Sequence, residues 1–169
     1  QPVGMLRVDP LVAAGVQPGD LGCLSGVIYQ PISREDTSAA LAAVQRVIEE
    51  ENLLAQVRAS GAVFERYLRA AFDANPRVGD IRGRGLFWGV ELVRDRGSRQ
   101  PFDPALRLHA RVKRAAFERG LLVYPMGGTV DGRYGDHVLL APPFIANPAE
   151  LSAIAARLSD AVADVLASV

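Results

Sequence analysis

The 169-residue sequence is poor in two reactive residue types, with one cysteine, Cys23, and one lysine, Lys113. A single cysteine excludes an internal disulfide and a zinc site built from several thiolates. Lysine plus arginine and aspartate plus glutamate both number 19, so the net charge is zero and no overall basic field attracts nucleic acid or anionic lipid. Uncharged runs such as 21–33 are too short to span a bilayer, and no signal peptide is recognisable. We therefore expect a cytoplasmic protein without nucleic-acid or membrane partners.

The scarcity of lysine restricts cofactor chemistry, because Lys113 carries the only side-chain amine able to form a Schiff base. It falls between Arg111 and Arg114 on a predicted helix, in a charged stretch typical of a solvated face. Catalytic lysines are activated by desolvation in a pocket or by a neighbouring cation. We expect Lys113 to be an exposed surface residue. The sequence also begins with Gln1 rather than methionine, which favours a fragment or a processed product.

Hydrophobic residues make up 49% of the sequence, enough for the core of one domain. Residues 1–35 are rich in glycine and proline and have no sustained periodicity, so we predict an irregular segment with short strands, at most, over 3–8 and 24–30.

Four helices are predicted where apolar residues recur at spacings of three and four. The first begins near Asp36, and the second ends at Asn75 because Pro76 follows. Asp103 and Asn147, each followed by proline, are typical N-caps of the third and fourth helices, and Gly120 ends the third in a left-handed C-cap. The apolar positions are Leu41, Val44, Ile48, Val57, Gly61, Phe64, Leu68, Phe72, Leu108, Val112, Ala115, Leu151, Ile154, Leu158, Val162 and Val165.

Short strands are predicted between these helices. A glycine-punctuated turn over 79–85 leads into an apolar strand over 87–92, and two further strands cover 121–124 and 138–141. The element order is helix, helix, strand, strand, helix, strand, strand, helix, with the bounds of one strand left unassigned. This order predicts an α+β fold, a small mixed or antiparallel sheet packed with helices.

Several motifs for known chemistry are incomplete. The glycines around Arg84 lead into a strand and lack the G-x-G-x-x-G spacing, so they favour a turn over a phosphate loop. His109 and His137 are far apart without metal-ligand spacing, which favours structural or surface roles and predicts no metal site. In the segment 22–26 the serine, Ser25, stands one position later than the serine of the G-x-S-x-G nucleophile elbow, so no hydrolase is predicted. The residues themselves therefore predict no catalytic site.

Arg133 is the best candidate for a binding residue. It lies in 127–136, a long glycine-rich loop between two predicted strands, and loops on a rigid scaffold commonly carry binding groups. The planar guanidinium grips a carboxylate through two parallel hydrogen bonds. The alternative is an exposed arginine paired with Asp131 or Asp136.

Three ordered stretches carry a family resemblance. They read VGDIRGRGLFWGVELV over 78–93, GLLVYPMGG over 120–128 and GDHVLLAPPF over 135–144. In this order and spacing they resemble the C-terminal small domain of class III aminotransferases, which are pyridoxal-phosphate (PLP) enzymes of fold type I. The segment 40–57 likewise resembles the helix after the family's cofactor-contacting loop.

The resemblance implies a small-domain-like unit over 36–169, with 1–35 unassigned. A complete enzyme would transfer an amino group from an amine or amino acid to a keto acid through PLP, as a homodimer or with a large-domain partner, and this unit would contribute the substrate side. The family's Schiff-base lysine lies in a large domain that this sequence does not match. The resemblance therefore implies no catalytic or cofactor-binding residue here and an inactive isolated chain.

Two departures from the family bear on the site. The loop before the first helix normally carries a threonine for the partner subunit's cofactor phosphate, and Thr37 matches that pattern poorly. Some members bind the substrate carboxylate through an arginine in the strand before the proline pair, where this sequence has Val138, Leu139 and Leu140. Arg133 is therefore the one substrate-binding residue that we predict.

Two other functions remain open at this level. The first is a non-catalytic remnant or regulatory module that keeps the fold and dimerises through helix faces. The second is an unrelated α+β ligand-binding domain. A small domain without its large partner would expose apolar surface around Leu41, Val44 and Ile48, and we expect self-association through it.

Overall fold

The computed structural model describes the backbone of residues 34–169 and the side chains from Ser38 onward. The strands predicted over 3–8 and 24–30 and the serine motif at 22–26 lie outside the described residues. The chain divides into two compact units, Gln1–Glu51 and Asn52–Val169. No helix in the described part is long and apolar enough to cross a membrane.

In the first unit, helix α1 covers Arg34–Glu50. Leu41 and Val44 are 64% and 59% exposed, and Ile48 is half-buried. A helical side-chain bond from Gln45 Nε2 to Glu49 Oε1, at 2.9 Å, lies on the same helix. The apolar stripe read from the sequence is therefore largely open to solvent.

The second unit contains three α-helices, one 3₁₀ turn and four strands. In chain order they are α2 (Leu53–Phe72), β1 (Val78–Arg84), β2 (Phe87–Leu92), the 3₁₀ turn (Pro104–Leu106), α3 (Leu108–Glu118), β3 (Tyr124–Gly127), β4 (Asp136–Leu140) and α4 (Pro148–Leu166). The strands form one sheet of order β1-β2-β4-β3 in which every neighbouring pair is antiparallel. The predicted α+β class and element order are confirmed.

The core lies between one face of this sheet and helices α2, α3 and α4. Alternation along the strands buries Trp88, Val90 and Leu92 on β2 while the residues between them face outward. From the helices, Phe64 and Leu158 are completely buried in the same cluster. Burial of such side chains contributes roughly 1.5–3 kcal/mol each. The other face of the sheet is left open by these helices.

A hairpin turn joins β1 to β2 directly beneath α2. Gly85 adopts φ = 58°, which glycine adopts at little cost, and Trp88 Nε1 donates a 2.7 Å hydrogen bond to the Gly85 carbonyl. A Cβ on Gly61 of α2 would lie 2.4 Å from that carbonyl oxygen. Helix and turn therefore approach so closely that only glycine fits at position 61.

Several predicted boundaries are wrong. The segment over 79–85, predicted as a turn, is mostly strand β1, because its backbone pairs with β2 from Val78 to Arg84. Asp103 accepts a 2.9 Å hydrogen bond from the Ala105 amide and so caps the 3₁₀ turn. The α-helix begins only at Leu108, because Arg107 adopts a left-handed conformation that interrupts it.

Two strands are displaced from their predicted positions. Strand β3 begins at Tyr124 rather than Leu121, because Leu121 is drawn into the core and its amide bonds to the Ala116 carbonyl. Strand β4 begins two residues early, at Asp136. On α3, Ala116 is fully buried whereas the predicted Ala115 is only partly buried.

The predicted helix ends at Gly120 and Asn147 are confirmed. Gly120 has φ = 67°, and the Leu121 amide closes the α3 terminus on the Ala116 carbonyl. Asn147 Oδ1 accepts from the amides of Ala149 and Glu150 at 2.9 and 3.0 Å. Glu150 Oε2 in turn accepts from the Asn147 amide at 2.8 Å, which completes a capping box.

Candidate functional site

Arg133 lies at the tip of the hairpin that connects β3 and β4. Beyond the paired strands, the Thr129 amide bonds to the Gly135 carbonyl at 3.4 Å and the Val130 amide to the Tyr134 carbonyl at 2.9 Å. The hairpin therefore continues past the sheet as an ordered projection. Its exposed tip is formed by residues 131–133.

The Asp131 carboxylate determines the conformation of this tip. Its Oδ1 accepts from the Tyr134 amide at 2.8 Å and from the Arg133 amide at 2.9 Å. These backbone bonds, with a smaller contribution from the charge of Arg133, lower the pKa of Asp131. Within residues 38–169 the Arg133 guanidinium forms no salt bridge with Asp131 or Asp136. The hairpin thus presents a cation on a preformed turn.

The base of the hairpin is fixed to the start of α3 through Asp136. This carboxylate is 5% exposed, and its Oδ1 lies 3.1 Å from the His109 amide and 2.9 Å from His109 Nδ1. A Cβ on Gly127 would lie 2.5 Å from the same imidazole nitrogen, so the ring packs directly over the Gly127 backbone. His109 therefore has the structural role that the sequence favoured.

A second polar cluster lies on the open face of the sheet. Arg82 Nη1 contacts Asp80 Oδ2 at 2.7 Å and Glu91 Oε2 at 3.1 Å, and both bonds raise the pKa of Arg82. His137 of β4 pairs with Glu91 of β2 in the strand register. Burial, and then the positive charge of Arg82, lower the pKa of His137.

This cluster borders a depression of about 410 Å³ over the middle of the sheet. Phe87 and Leu139 form its apolar side, and Gly89 lacks a side chain to fill it. The linear sequence did not indicate this site, because its members come from three strands whose pairing was unknown. Their alternation with buried residues along β2 and β4 is the one signal that could have grouped them.

Lys113 is exposed on α3, as predicted. It borders a small cavity lined mainly by Phe117, Leu121, Leu122 and Val123. No group of three or more His, Cys, Asp or Glu side chains in the described part of the chain could hold a metal ion. The described residues do not provide an enclosed lysine site for a carbonyl cofactor.

Comparison with known proteins assigns the family. The family model for class III aminotransferases matches residues 36–162. An uncharacterised aminotransferase of Schizosaccharomyces pombe is 39% identical over 131 residues, which are 78% of this chain and 28% of the relative. The diaminobutyrate–2-oxoglutarate transaminase of Halomonas elongata is 35% identical over 116 residues, 69% of this chain and 24% of the relative. The chain belongs to the class III aminotransferase family.

Solved structures give the same assignment. A PMP-bound aminotransferase from Vibrio fluvialis matches with a TM-score of 0.64 and 32% identity, covering 73% of this chain and 25% of that chain. A transaminase obtained by ancestral reconstruction matches with a TM-score of 0.67 and 34% identity, covering 78% and 27%. A PLP-bound form from Vibrio fluvialis is also similar. The chain therefore spans about a quarter of the length of these relatives.

Proposed function

We propose that residues 36–169 are the small-domain-like unit of a cytoplasmic PLP-dependent transaminase, with 1–35 outside that unit. The observation that carries this proposal is the family match over 36–162. It coincides with the helices and the antiparallel sheet of the described chain. The similarity to PLP- and PMP-bound aminotransferases supports PLP as the cofactor of the complete enzyme.

The complete enzyme would transfer an amino group from an amine or amino acid to a keto acid, as a homodimer or with a large-domain partner. The described residues do not fit a whole PLP site, because Lys113 is exposed and the sequence has no other lysine. We therefore assign the cofactor lysine to a part of the enzyme outside this chain. The contribution of this chain is to bind and orient substrate.

Arg133 is the residue to which we assign substrate binding. Its tip is ordered by Asp131 and its base by Asp136, so the guanidinium is carried on a preformed support. A support of this kind reduces the conformational entropy lost on binding. The fork of the guanidinium suits the carboxylate of a keto acid.

A second candidate is a non-catalytic association module. It is favoured by helix α1, whose Leu41, Val44 and Val47 are exposed. Apolar side chains at helical spacing are typical of a helix that packs against another surface. This candidate keeps the family fold without transamination.

A chimera distinguishes the two candidates. Residues 36–169 would replace the matching segment of the Vibrio fluvialis aminotransferase, and amine-dependent keto-acid conversion would be measured beside cofactor absorbance. We expect a chimera that binds PLP and turns over. A folded, PLP-bound chimera without turnover would contradict the transaminase proposal and support the association module.

A further inference from the structure

Four arginines converge on a groove between α3 and the end of α4. Arg107, Arg111, Arg114 and Arg119 line this groove, and its volume of about 530 Å³ falls within the range of small-molecule sites. We propose that the groove binds a small multivalent oxyanion, a molecule carrying phosphate or carboxylate groups. The proposal does not rest on the transaminase function.

The charge of the groove favours an anion. Among the described residues, the acidic side chains that line it are Glu118 and Asp164. Four arginines against two carboxylates leave the lining with a net charge of +2. The whole chain is neutral, so the positive charge of the groove is balanced by a net charge of −2 on the rest of the chain. A local field of this size suits a small anion better than an extended polyanion such as nucleic acid.

Two of the arginines are already oriented by the protein. Arg119 pairs with Asp164 and donates to the Ala115 carbonyl at 2.9 Å. Arg111 donates to the Val165 carbonyl at 3.4 Å and to the Ser168 hydroxyl. These bonds hold two guanidinium forks on the wall of the groove without using all their donors.

The other two arginines are left for a ligand. Arg107 and Arg114 are exposed, and neither forms a salt bridge within the part of the chain whose side chains are described. Arg107 also has φ = 48° and ψ = 46°, a left-handed conformation that is costly for a large side chain, and its side chain does not cap α3. Two unpaired forks beside two oriented ones can bind several oxyanion groups at once.

Calorimetric titration of the 169-residue chain at constant ionic strength tests the proposal, with inorganic pyrophosphate and citrate as separate probes. We expect one saturable site for at least one probe. Arg107→Gln and Arg114→Gln should each weaken binding about tenfold, because each removes a charge-assisted contact. Arg58→Gln, an exposed arginine on α2, is the matched control and should leave binding unchanged.

Asp164→Asn supplies a test in the opposite direction. It removes the carboxylate that competes for Arg119, while the bond to the Ala115 carbonyl still holds the guanidinium, so the same probe should bind severalfold more tightly. Thermal unfolding without probe verifies that each variant is folded. If one variant does not fold, the binding measured for the remaining variants tests the proposal. A preference for pyrophosphate identifies a phosphate ligand, and a preference for citrate identifies a polycarboxylate.

The proposal is overturned if neither probe saturates the wild-type chain. It is also overturned if Arg58→Gln weakens binding as much as Arg107→Gln and Arg114→Gln do. Tighter binding of a short DNA duplex than of either probe would equally contradict it, because the site would then be a general polyanion surface.

Discussion

Asp136 organises the candidate site at the scale of single residues. The carboxylate is buried, begins β4 and bonds both the backbone and the ring of His109. A buried carboxylate without such donors would be costly, so removing it would release the hairpin base from α3. The sequence placed Asp136 as a possible partner of Arg133, whereas its bonds are to His109.

We expect Arg133→Ala to reduce kcat/KM for a keto acid in the chimera by roughly tenfold to a hundredfold. The reason is that a charge-assisted bidentate contact contributes on the order of 1.5–3 kcal/mol. Arg133→Lys should recover only part of this, since an ammonium cannot reproduce the fork. The measurement compares a keto acid with an aldehyde acceptor, which lacks the carboxylate.

The control for this prediction is Arg66→Ala, an exposed arginine on α2, which should change neither acceptor. Equal losses for keto acid and aldehyde in Arg133→Ala would assign a purely structural role to Arg133.

Because of His137, we expect the folded chain to lose stability in acid. Burial and Arg82 lower the folded-state pKa of His137 below the ordinary value of 6.5, so the unfolded state takes up a proton more readily than the native state. The free energy of unfolding should therefore fall as pH drops through about 6.5, and His137→Gln should reduce this loss. NMR titration and urea unfolding at pH 7.5 and 5.5 would measure both effects.

The Arg82→Gln variant tests the electrostatic cause of the lowered His137 pKa. It removes the cation that contributes to the shift, so the pKa of His137 should rise toward its ordinary value. A His137 titration at or above the ordinary value in the wild-type chain would contradict this account.

At the scale of elements, local signals predicted two helix ends correctly, whereas the helix start at Asp103 and several strand bounds were wrong. The caps at Gly120 and Asn147 depend on residues adjacent in sequence, so they could be recognised directly. Strand β1 has two glycines and few apolar residues among its seven positions, and its pairing with β2 is what makes it a strand. Leu121 was predicted to begin a strand, but its side chain is buried in the core and β3 begins only at Tyr124.

We expect the packing of α2 on the hairpin turn to be sensitive to any side chain added at Gly61. Glycine to alanine in a helix ordinarily gains about 1 kcal/mol, but here the added Cβ would meet the Gly85 carbonyl oxygen at 2.4 Å. We expect Gly61→Ala to destabilise the chain by about 1–3 kcal/mol, as overpacking does. Urea unfolding measures the change.

Ala62→Gly is the adjacent control, because Ala62 is exposed on the same helix. It should cost only the propensity term of about 1 kcal/mol. A Gly61→Ala variant that is more stable than the wild type would contradict this prediction. It would show that α2 and the hairpin turn can move apart without loss of stability.

At the scale of the whole molecule, the sequence motifs were sufficient to predict the family and the α+β class. The polar cluster of Arg82, Glu91 and His137 was not predictable, because strand register brings these residues together. The arginine groove likewise depends on how α3 packs against α4. The role of Arg133 remains a prediction, since its ordered hairpin is compatible with substrate binding and does not require it.

The central claim is that this chain supplies the small-domain unit while the cofactor lysine lies elsewhere. The most direct measurement is to incubate the 169-residue chain with PLP, reduce it with borohydride and map adducts by mass spectrometry, with parallel assays of amine-dependent keto-acid conversion. We predict no stoichiometric adduct at Lys113, because this lysine is exposed on α3, and no turnover. A stoichiometric Lys113 adduct accompanied by turnover would contradict the account.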